Sequence, residues 1–377
     1  MKNTSCLKIS IAAMVVTGVW SPRMFDGKPH LQKLYLIYAS FFQVFLFGGI
    51  ILIEFLHLIQ VIDDLEETAE VSLLLLTHLA QVAKVMTIWG RQARIKHLLY
   101  LLDDPSFDRS EPAKKAILES TCRFAWFVSK FLVASTLFTA LMWGVFPMLK
   151  PTLTVPLNYP YMTSGSPFFI MMFIYQLTCI VLNALGDTAE DFLVGGLIVL
   201  ASAQLDVLSF ELSHIGQHND IDINYTEAVN CVKYHMKIIS FVNELEAIFG
   251  LPVFIQFVAS CIVIGLTAFK IVMTNEPIQL LTLVFYLVCI LSELLVYCYF
   301  GNIIMHKSEV VAAAAYHSGW ERTSLPTQRM LLLLMRRAQR PLAMSAGNMF
   351  HLSLLTFTAI LKSSYSYFAV LERKFEN

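Results

Sequence analysis

The polar residues of this chain indicate binding rather than catalysis, because the sequence contains no catalytic motif. G-x-S-x-G, H-E-x-x-H and Gly-rich phosphate-binding motifs are all absent. His306 and Glu309 lie close together in sequence, but no third metal ligand is within helical reach. The 7 cysteines form no C-x-x-C pair. We therefore expect no enzyme activity, no metal site and no cofactor.

Polar and aromatic side chains recur at helical spacing in four apolar segments. Each set has i, i+3, i+4 or i+7 type spacing, so it occupies one face of its helix. Four such faces could enclose an apolar pocket with a few polar anchors, as small-molecule sites do, although ordinary packing between helices gives the same pattern. The candidate ligand-binding residues are Leu74, Thr77 and His78, then Thr136, Thr139 and Trp143, then Met172, Tyr175 and Gln176, and finally Tyr286 and Cys289, with Gln81, Cys179 and Thr282 on the same faces.

Glu293 follows Cys289 by one helical turn inside an apolar segment. A carboxylate within a membrane span is costly and marks a functional site by default. The competing interpretation is that a neighbour, such as a tyrosine hydroxyl, simply satisfies it. The sequence leaves both interpretations open.

The last apolar segment carries a stripe of small and hydroxyl side chains. On a helix at 100° per residue, the stripe contains Ser345, Asn348, Leu352, Thr356, Ala359, Ser363, Ser366 and Val370. Such a stripe either allows helices to pack closely or lines a water-filled path that an apolar ring can close by dewetting. The positions of these residues around the helix do not decide between helix packing and a pore.

The composition indicates a polytopic membrane protein. The 377 residues are 56% hydrophobic and 15% charged, whereas a soluble domain carries about 25% charged residues. A span needs about 20 apolar residues, and an eighth run, Phe192–Leu208, is interpreted as a continuation of the fourth helix, with a separate span as the alternative. We expect an all-α fold with seven transmembrane helices, roughly Leu34–Ile59, Val71–Trp89, Phe124–Leu149, Pro167–Leu185, Phe249–Met273, Ile278–Ile304 and Leu342–Leu371.

The loops that carry Lys and Arg alternate with loops that carry few or none. Positively charged loops stay inside the cell, which places the N-terminus inside and the C-terminus outside. A glycosylation sequon at Asn224 lies in a loop assigned inside, which argues against that orientation. The net charge of -1 predicts no nucleic-acid partner. We expect one membrane domain, 1–377, with cytoplasmic segments at 1–33 and 305–341, the first six spans at 34–304 and the last at 342–371, and helix extensions that form a cytoplasmic anchor layer.

Four stretches of the sequence resemble the insect odorant receptors, and the resemblance covers nearly the whole chain. Three of them are VVTGVWSP, PLNYPYMTSGSPFFIMMFIYQ and EVVAAAAYHSGW. The fourth, PLAMSAGNMFHLSLLTFTAILKSSYSYFAVL, contains the family's SYSYF signature and is the most specific.

The resemblance implies an odour-binding subunit of a ligand-gated cation channel. Members of this family assemble as tetramers with a shared co-receptor in the dendrite membrane of olfactory neurons, and they bind small volatile odorants among the second, third, fourth and sixth spans. The co-receptor has a long insertion after the fourth span, and the short HIGQHNDIDINYTEA here is similar instead to the odour-tuning subunits. The family's last helix lines the pore, which implies that the pore residues here are Leu352, Thr356, Ser363, Ser366, Val370 and Arg373.

Two other receptor classes are alternatives for this sequence. A G-protein-coupled receptor also has seven spans, but no Asp/Glu-Arg-Tyr follows the third span and no Asn-Pro-x-x-Tyr ends the seventh. The membrane orientation of a G-protein-coupled receptor is also the reverse of the orientation inferred here. A gustatory receptor channel ends in Thr-Tyr, an apolar run and Gln-Phe, and this ending is absent.

Overall fold

Long helices make up most of the structure, a computed structural model that describes residues 3–22, 27–103, 111–149, 167–217 and 220–376. Within these ranges the chain forms ten α-helices and a two-stranded hairpin. The helices are α1 Lys8–Val16, α2 Pro29–Phe41, α3 Gly48–Gln60, α4 Leu65–Leu102, α5 Pro112–Leu149, α6 Pro167–His214, α7 Ile221–Met273, α8 Pro277–Tyr316, α9 Leu325–Ala338 and α10 Leu354–Glu376, and the strands are β1 Ser345–Ala346 and β2 Phe350–His351.

Seven helical segments are long and apolar enough to cross a membrane, as the sequence predicted. The first joins α2 to α3 through a π-helical segment, Phe42–Phe47, and the others are α4, α5, α6, α7, α8 and α10. The 53 residues of α7 extend about 80 Å at about 1.5 Å each, whereas the hydrocarbon core is roughly 30 Å thick. The helices therefore continue past one membrane face. We call this the lower end of the bundle; it also holds α9, which packs on α7 and α8.

Aspartate caps and prolines start several of these helices. The carboxylate of Asp64 accepts hydrogen bonds from the backbone N–H groups of Glu66 and Glu67 at the start of α4. Asp220 does the same for α7, and Pro277 begins α8, where a missing N–H costs nothing. The chain therefore contains local signals that fix where these long helices begin.

Helix α6 runs through the centre of the bundle. In its most apolar window 89% of the residues are buried inside the chain, compared with 6% for α10. Residues 189–205 are all buried, and α6 is continuous through Phe192–Leu208. This confirms that the eighth apolar run is a continuation of the fourth span and that it packs against protein rather than lipid.

Helix α4 bends where it meets α7. Arg91 has non-helical backbone angles (φ -118°, ψ 18°), and its guanidinium donates to the carbonyl oxygens of Ala247 and Ile248. One turn further, Arg94 forms a two-pronged ion pair with Glu244, at 2.6 and 2.9 Å. These contacts fix α4 to α7 below the membrane-spanning part.

The last span begins later than predicted. Leu342–Ser353 is not helical, because Gly347 and Asn348, both at φ 58°, form a tight turn between β1 and β2. The N–H of Gly347 donates to the carbonyl of Gly250 at 2.8 Å, which attaches the hairpin to α7. The helical prediction was therefore wrong for the part of the stripe that precedes Leu354, namely Ser345, Asn348 and Leu352.

Asn224, in the predicted sequon, is buried and has structural contacts. Its side-chain oxygen accepts from the N–H of Gly216 at 3.0 Å, and its nitrogen donates to the carbonyl of Asp220 at 2.9 Å. A glycan attached to that nitrogen would not fit at this buried position. The sequon therefore no longer argues against a cytoplasmic position for this loop.

Candidate functional site

A cavity of about 130 Å³ lies between α3, α4, α5, α6 and α8. Four of these helices are the segments whose polar faces were singled out from the sequence. All of the predicted ligand-binding residues line the cavity except Met172 and Tyr175: Leu74, Thr77, His78, Thr136, Thr139, Trp143, Gln176, Tyr286 and Cys289. The helix faces that were predicted from residue spacing therefore meet around one cavity, although they lie far apart in sequence.

Tyr175 and Met172 do not line the cavity. The hydroxyl of Tyr175 donates to the carbonyl of Phe45 at 2.6 Å, and its ring meets the Phe45 ring edge-on at 5.7 Å. Tyr175 thus fastens α6 to the first span. Thr282, on the same predicted face as Tyr286, donates to the carbonyl of Ile278 in its own helix.

The upper part of the cavity is aromatic and rich in hydroxyl groups. The rings of Trp143 and Tyr286 meet edge-on with centroids 6.1 Å apart. The Tyr286 and Thr77 hydroxyls share a hydrogen bond of 2.8 Å, and Thr139 is 3.2 Å from the sulfur of Cys289. These contacts join α4, α5 and α8, so the hydroxyl groups hold the wall together and leave a mostly apolar interior.

The floor of the cavity is charged, which the sequence analysis largely missed. The ammonium of Lys84 lies 2.5 Å from Asp187, 2.7 Å from Asp191 and 3.6 Å from Glu293. Lys84 is in the second span, the two aspartates are in the fourth, and Glu293 is in the sixth. The predicted fourth span ends at Leu185, before both aspartates, and helical spacing does not indicate that they meet Lys84.

Neutral donors complete this network. The hydroxyl of Tyr297 donates to Asp191 at 2.7 Å, and the amide of Gln256 donates to Glu293 at 2.6 Å. Glu293 is therefore satisfied by its neighbours, as the second interpretation held, although by an amide and an ammonium rather than a tyrosine. Asp187, Asp191 and Glu293 are close enough to hold a cation, but Lys84 already contacts all three.

A histidine–carboxylate hydrogen bond joins the first span to the cavity. The ring nitrogen Nδ1 of His78 lies 2.8 Å from a carboxylate oxygen of Glu54, and Glu54 is almost fully buried. Both line the cavity. Glu54 could have been suspected from the sequence, because it is an acidic residue inside an apolar segment.

Helix α10 turns one face to the chain and the other away from it. Phe357, Ile360 and Phe368 pack against the core, and Ser364 is buried. The predicted stripe lies on the other side: the hydroxyls of Ser363 and Ser366 donate to backbone carbonyls of their own helix, Val370 is 65% exposed, and Arg373 is exposed. Thr356, at the first turn, donates to the carbonyl of His351.

The fold and the cavity together define a class: a seven-helix membrane receptor with a small-molecule cavity among its helices. The family model described as 7tm Odorant receptor matches residues 64–365. The chain belongs to this odorant receptor family. The family predicted from the sequence, the seven-span fold and the exclusion of an enzyme are all confirmed by this membership.

Individual relatives match this chain over nearly its full length. Odorant receptor 46a, isoform A, of Drosophila melanogaster is 24% identical, with 91% of each chain covered, and Odorant receptor Or1 of Anopheles gambiae is 23% identical, with 97% of this chain and 94% of its own covered. The solved structure of the olfactory receptor OR5 from Machilis hrabei superposes with a TM-score of 0.85 at 17% identity, with 97% of this chain and 96% of its own covered. Its complex with eugenol gives 0.86.

Proposed function

We propose that this protein is the odorant-binding, tuning subunit of an odorant-gated, non-selective cation channel. It would assemble with a shared co-receptor subunit in the dendrite membrane of olfactory sensory neurons. The observation that carries the proposal is the cavity, which is formed by the helices whose faces predicted a binding site. A protein of the same fold has been solved in complex with eugenol, which supports a small organic ligand.

We assign ligand binding to the cavity-lining residues and leave Met172 and Tyr175 out of the site. Apolar side chains from several helices, such as Ile180 and Ile290, supply contact area, and the Trp143 and Tyr286 rings supply an aromatic wall. A mostly apolar cavity with a few polar groups suits a small volatile molecule with one polar group.

We assign the pore to the outward face of α10. A single helix face cannot enclose a pore, so several chains are needed, and the exposed stripe on α10 is available for them. Hydroxyl groups such as those of Ser363 and Ser366 tolerate water, whereas an apolar ring that includes Val370 could exclude it. Leu352 is buried against α8, so we remove it from the pore.

The short connection between α6 and α7 supports a tuning subunit rather than a co-receptor, because His214 and Ile221 are separated by only a few residues. The Lys and Arg distribution supports a cytoplasmic N-terminus. Epitope tags placed at Met1 and Asn377 test this orientation on intact cells: only the tag at Asn377 should be accessible.

The central experiment fills the cavity. Ala140 lines the cavity and is buried, so Ala140→Trp should lower the potency of odorants roughly tenfold or more by occupying their space. Ala134 is on the same helix but exposed, which makes Ala134→Trp the matched control. The measurement is the odour-evoked current in cells that also express the co-receptor, with surface levels checked.

Two outcomes would contradict the proposal. Unchanged currents in Ala140→Trp would place the ligand elsewhere. Signalling through a G protein without an odour-evoked current would favour the G-protein-coupled class instead.

A further inference from the structure

Two hydrogen-bond donors that line the cavity have no partner among the described residues. They are the indole Nε1–H of Trp143 and the side-chain amide nitrogen of Asn183. Asn183 is only 3% exposed, so water does not readily replace the missing partner. Native proteins leave few buried donors unpaired. An unpaired donor of a cavity-lining residue is therefore available to a ligand.

The two donors lie at nearly the same level along the axis of the helix bundle. The hydroxyls of Thr136 and Thr188 are 2.9 Å apart, which sets the register between α5 and α6, and consecutive spans run in opposite directions. Trp143 follows Thr136 by seven residues, and Asn183 precedes Thr188 by five. At about 1.5 Å per residue they lie about 10 and 8 Å from that contact, toward the same end of the bundle.

Other polar groups of the wall are already used. Thr77 bonds to Tyr286, and Thr139 bonds to Cys289 and to the carbonyl of Ser135. His78 is paired with Glu54. The polar contacts that remain to be made at this depth are therefore donor contacts, and they require an acceptor from the ligand.

The chemical group of the ligand follows from the two open contacts, because in both of them the protein supplies the donor. A carbonyl oxygen has two lone pairs and no proton, so it can accept from two donors at once. A hydroxyl also brings a proton that needs an acceptor. The unpaired acceptors of cavity-lining residues, Oε1 of Gln176 and Oδ2 of Asp191, lie about 10 and 12 Å from Asn183 along α6 at about 1.5 Å per residue. A protonated amine has no lone pair to offer.

We propose that the odorant is a carbonyl compound, an aldehyde, ketone or ester, whose oxygen accepts hydrogen bonds from Trp143 Nε1–H and Asn183 Nδ2–H. This inference rests on the proposed function, because it requires that the cavity be the odorant site. The hydrocarbon part of the ligand lies against the apolar wall, for example Leu74 and Ile180. We assign the acidic floor no part in ligand binding, because Lys84, Tyr297 and Gln256 contact all three of its carboxylates.

The test compares four probes of equal chain length: heptanal, heptanol, heptane and heptylamine. Each is applied to cells that express the receptor with its co-receptor, and potency is read from the evoked current. Heptanal should be the most potent, because a site built to donate hydrogen bonds rejects analogues that cannot accept them. Heptylamine as the most potent probe would overturn the proposal in favour of the acidic floor. Heptanol or heptane as the most potent probe, or no response of the wild-type receptor to heptanal, would also overturn it.

Two variants then remove the donors separately. Trp143→Phe keeps an aromatic ring without the N–H, and Asn183→Leu keeps a similar volume without the amide. Each should lower the ratio of heptanal potency to heptane potency roughly five- to tenfold. Trp126→Phe is the matched control, because Trp126 is on the same helix but exposed. Surface labelling of all variants identifies any that fail to fold.

Failure of this inference can be told apart from failure of the proposed function. If neither donor variant changes the ratio of heptanal to heptane potency, while Ala140→Trp still abolishes the responses, the cavity is the site but the carbonyl contact is wrong. If Ala140→Trp leaves every response intact, the cavity itself is wrong, and this inference is overturned with it.

Discussion

The ligand cavity and the last helix differ in how much of their surroundings one chain supplies. The cavity is enclosed by helices of this chain, and its charged floor is satisfied by side chains of this chain. Helix α10 has only 6% of its apolar window buried, and its stripe of small and hydroxyl groups faces outward. Under the proposed function, this difference corresponds to two roles: the cavity within one chain would bind the ligand, whereas the exposed face of α10 would need further chains to form a pore.

The largest expected effect concerns the buried network of the cavity floor. Lys84→Met would leave Asp187, Asp191 and Glu293 without their cation, and breaking a buried ion pair costs about 3–5 kcal/mol. We expect a large loss of folded protein, measured as thermal stability in detergent and as surface level. Such a loss would show that this region depends on contacts within the chain.

The control for this variant is Lys130→Met. Lys130 is exposed and lies 3.5 Å over the ring of Trp126, a contact worth only about 0.5–1 kcal/mol at an exposed site. Equal stability of the two variants would mean that the floor network contributes little, and the contrast between the two regions would lose its basis.

An intermediate effect is expected at the junction between the regions. A Cβ at Gly301 would lie 2.3 Å from the Cβ of Leu352, so Gly301→Ala must push the hairpin away from α8. Such overpacking costs about 1–3 kcal/mol. We expect a lower maximal current with nearly unchanged odorant potency, because the displaced segment leads into α10 and not into the cavity.

Gly90→Ala is the matched control for the junction variant. No heavy atom lies within 4 Å of the position that its Cβ would occupy, and alanine is favoured over glycine within a helix by about 1 kcal/mol. The two substitutions should therefore change stability in opposite directions. A shift in odorant potency without a change in maximal current would connect the hairpin to the ligand site instead.

The smallest effect is expected on α10 itself. Val370→Ser introduces a hydroxyl at an exposed apolar position, which should raise the resting current or alter cation permeability. The effect should be modest, because in the proposed heteromeric channel the co-receptor chains would contribute their own residues to the ring. Ala369→Ser adds the same group about 100° away on the helix and serves as the control. If only Ala369→Ser alters permeation, the pore-facing side of α10 has been misassigned.

The cavity could be predicted from sequence because helical periodicity is a local property. The same property explains the error at Tyr175. Tyr175 and Gln176 are consecutive residues, about 100° apart on the helix. Both carry polar groups, so spacing alone does not show which of the two faces the cavity. The partner of Tyr175, Phe45, is 130 residues away.

The charged floor and the hairpin were harder to predict for different reasons. Lys84 and Asp191 are 107 residues apart, so nothing local indicates that they meet. The hairpin lies inside an apolar run whose length favoured a single helix. The Gly347-Asn348 pair was a turn signal in that run, but it was outweighed by the apolar residues on both sides.

The π-helical segment of the first span has a consequence for how this protein can change in evolution. Phe42–Phe47 contains a wider turn than an α-helix, and it sets the rotation of every later residue in that span. Deletion of one residue there would restore an α-helix and leave the following segment in register, because a π-helical turn holds about one residue more than an α-helical turn. Deletion of one residue between Phe47 and Glu54 would instead turn the following segment by about 100° and move Glu54 away from His78. Insertions and deletions in this span should therefore be tolerated within the π-helical segment and be rarer elsewhere in the span among functional relatives.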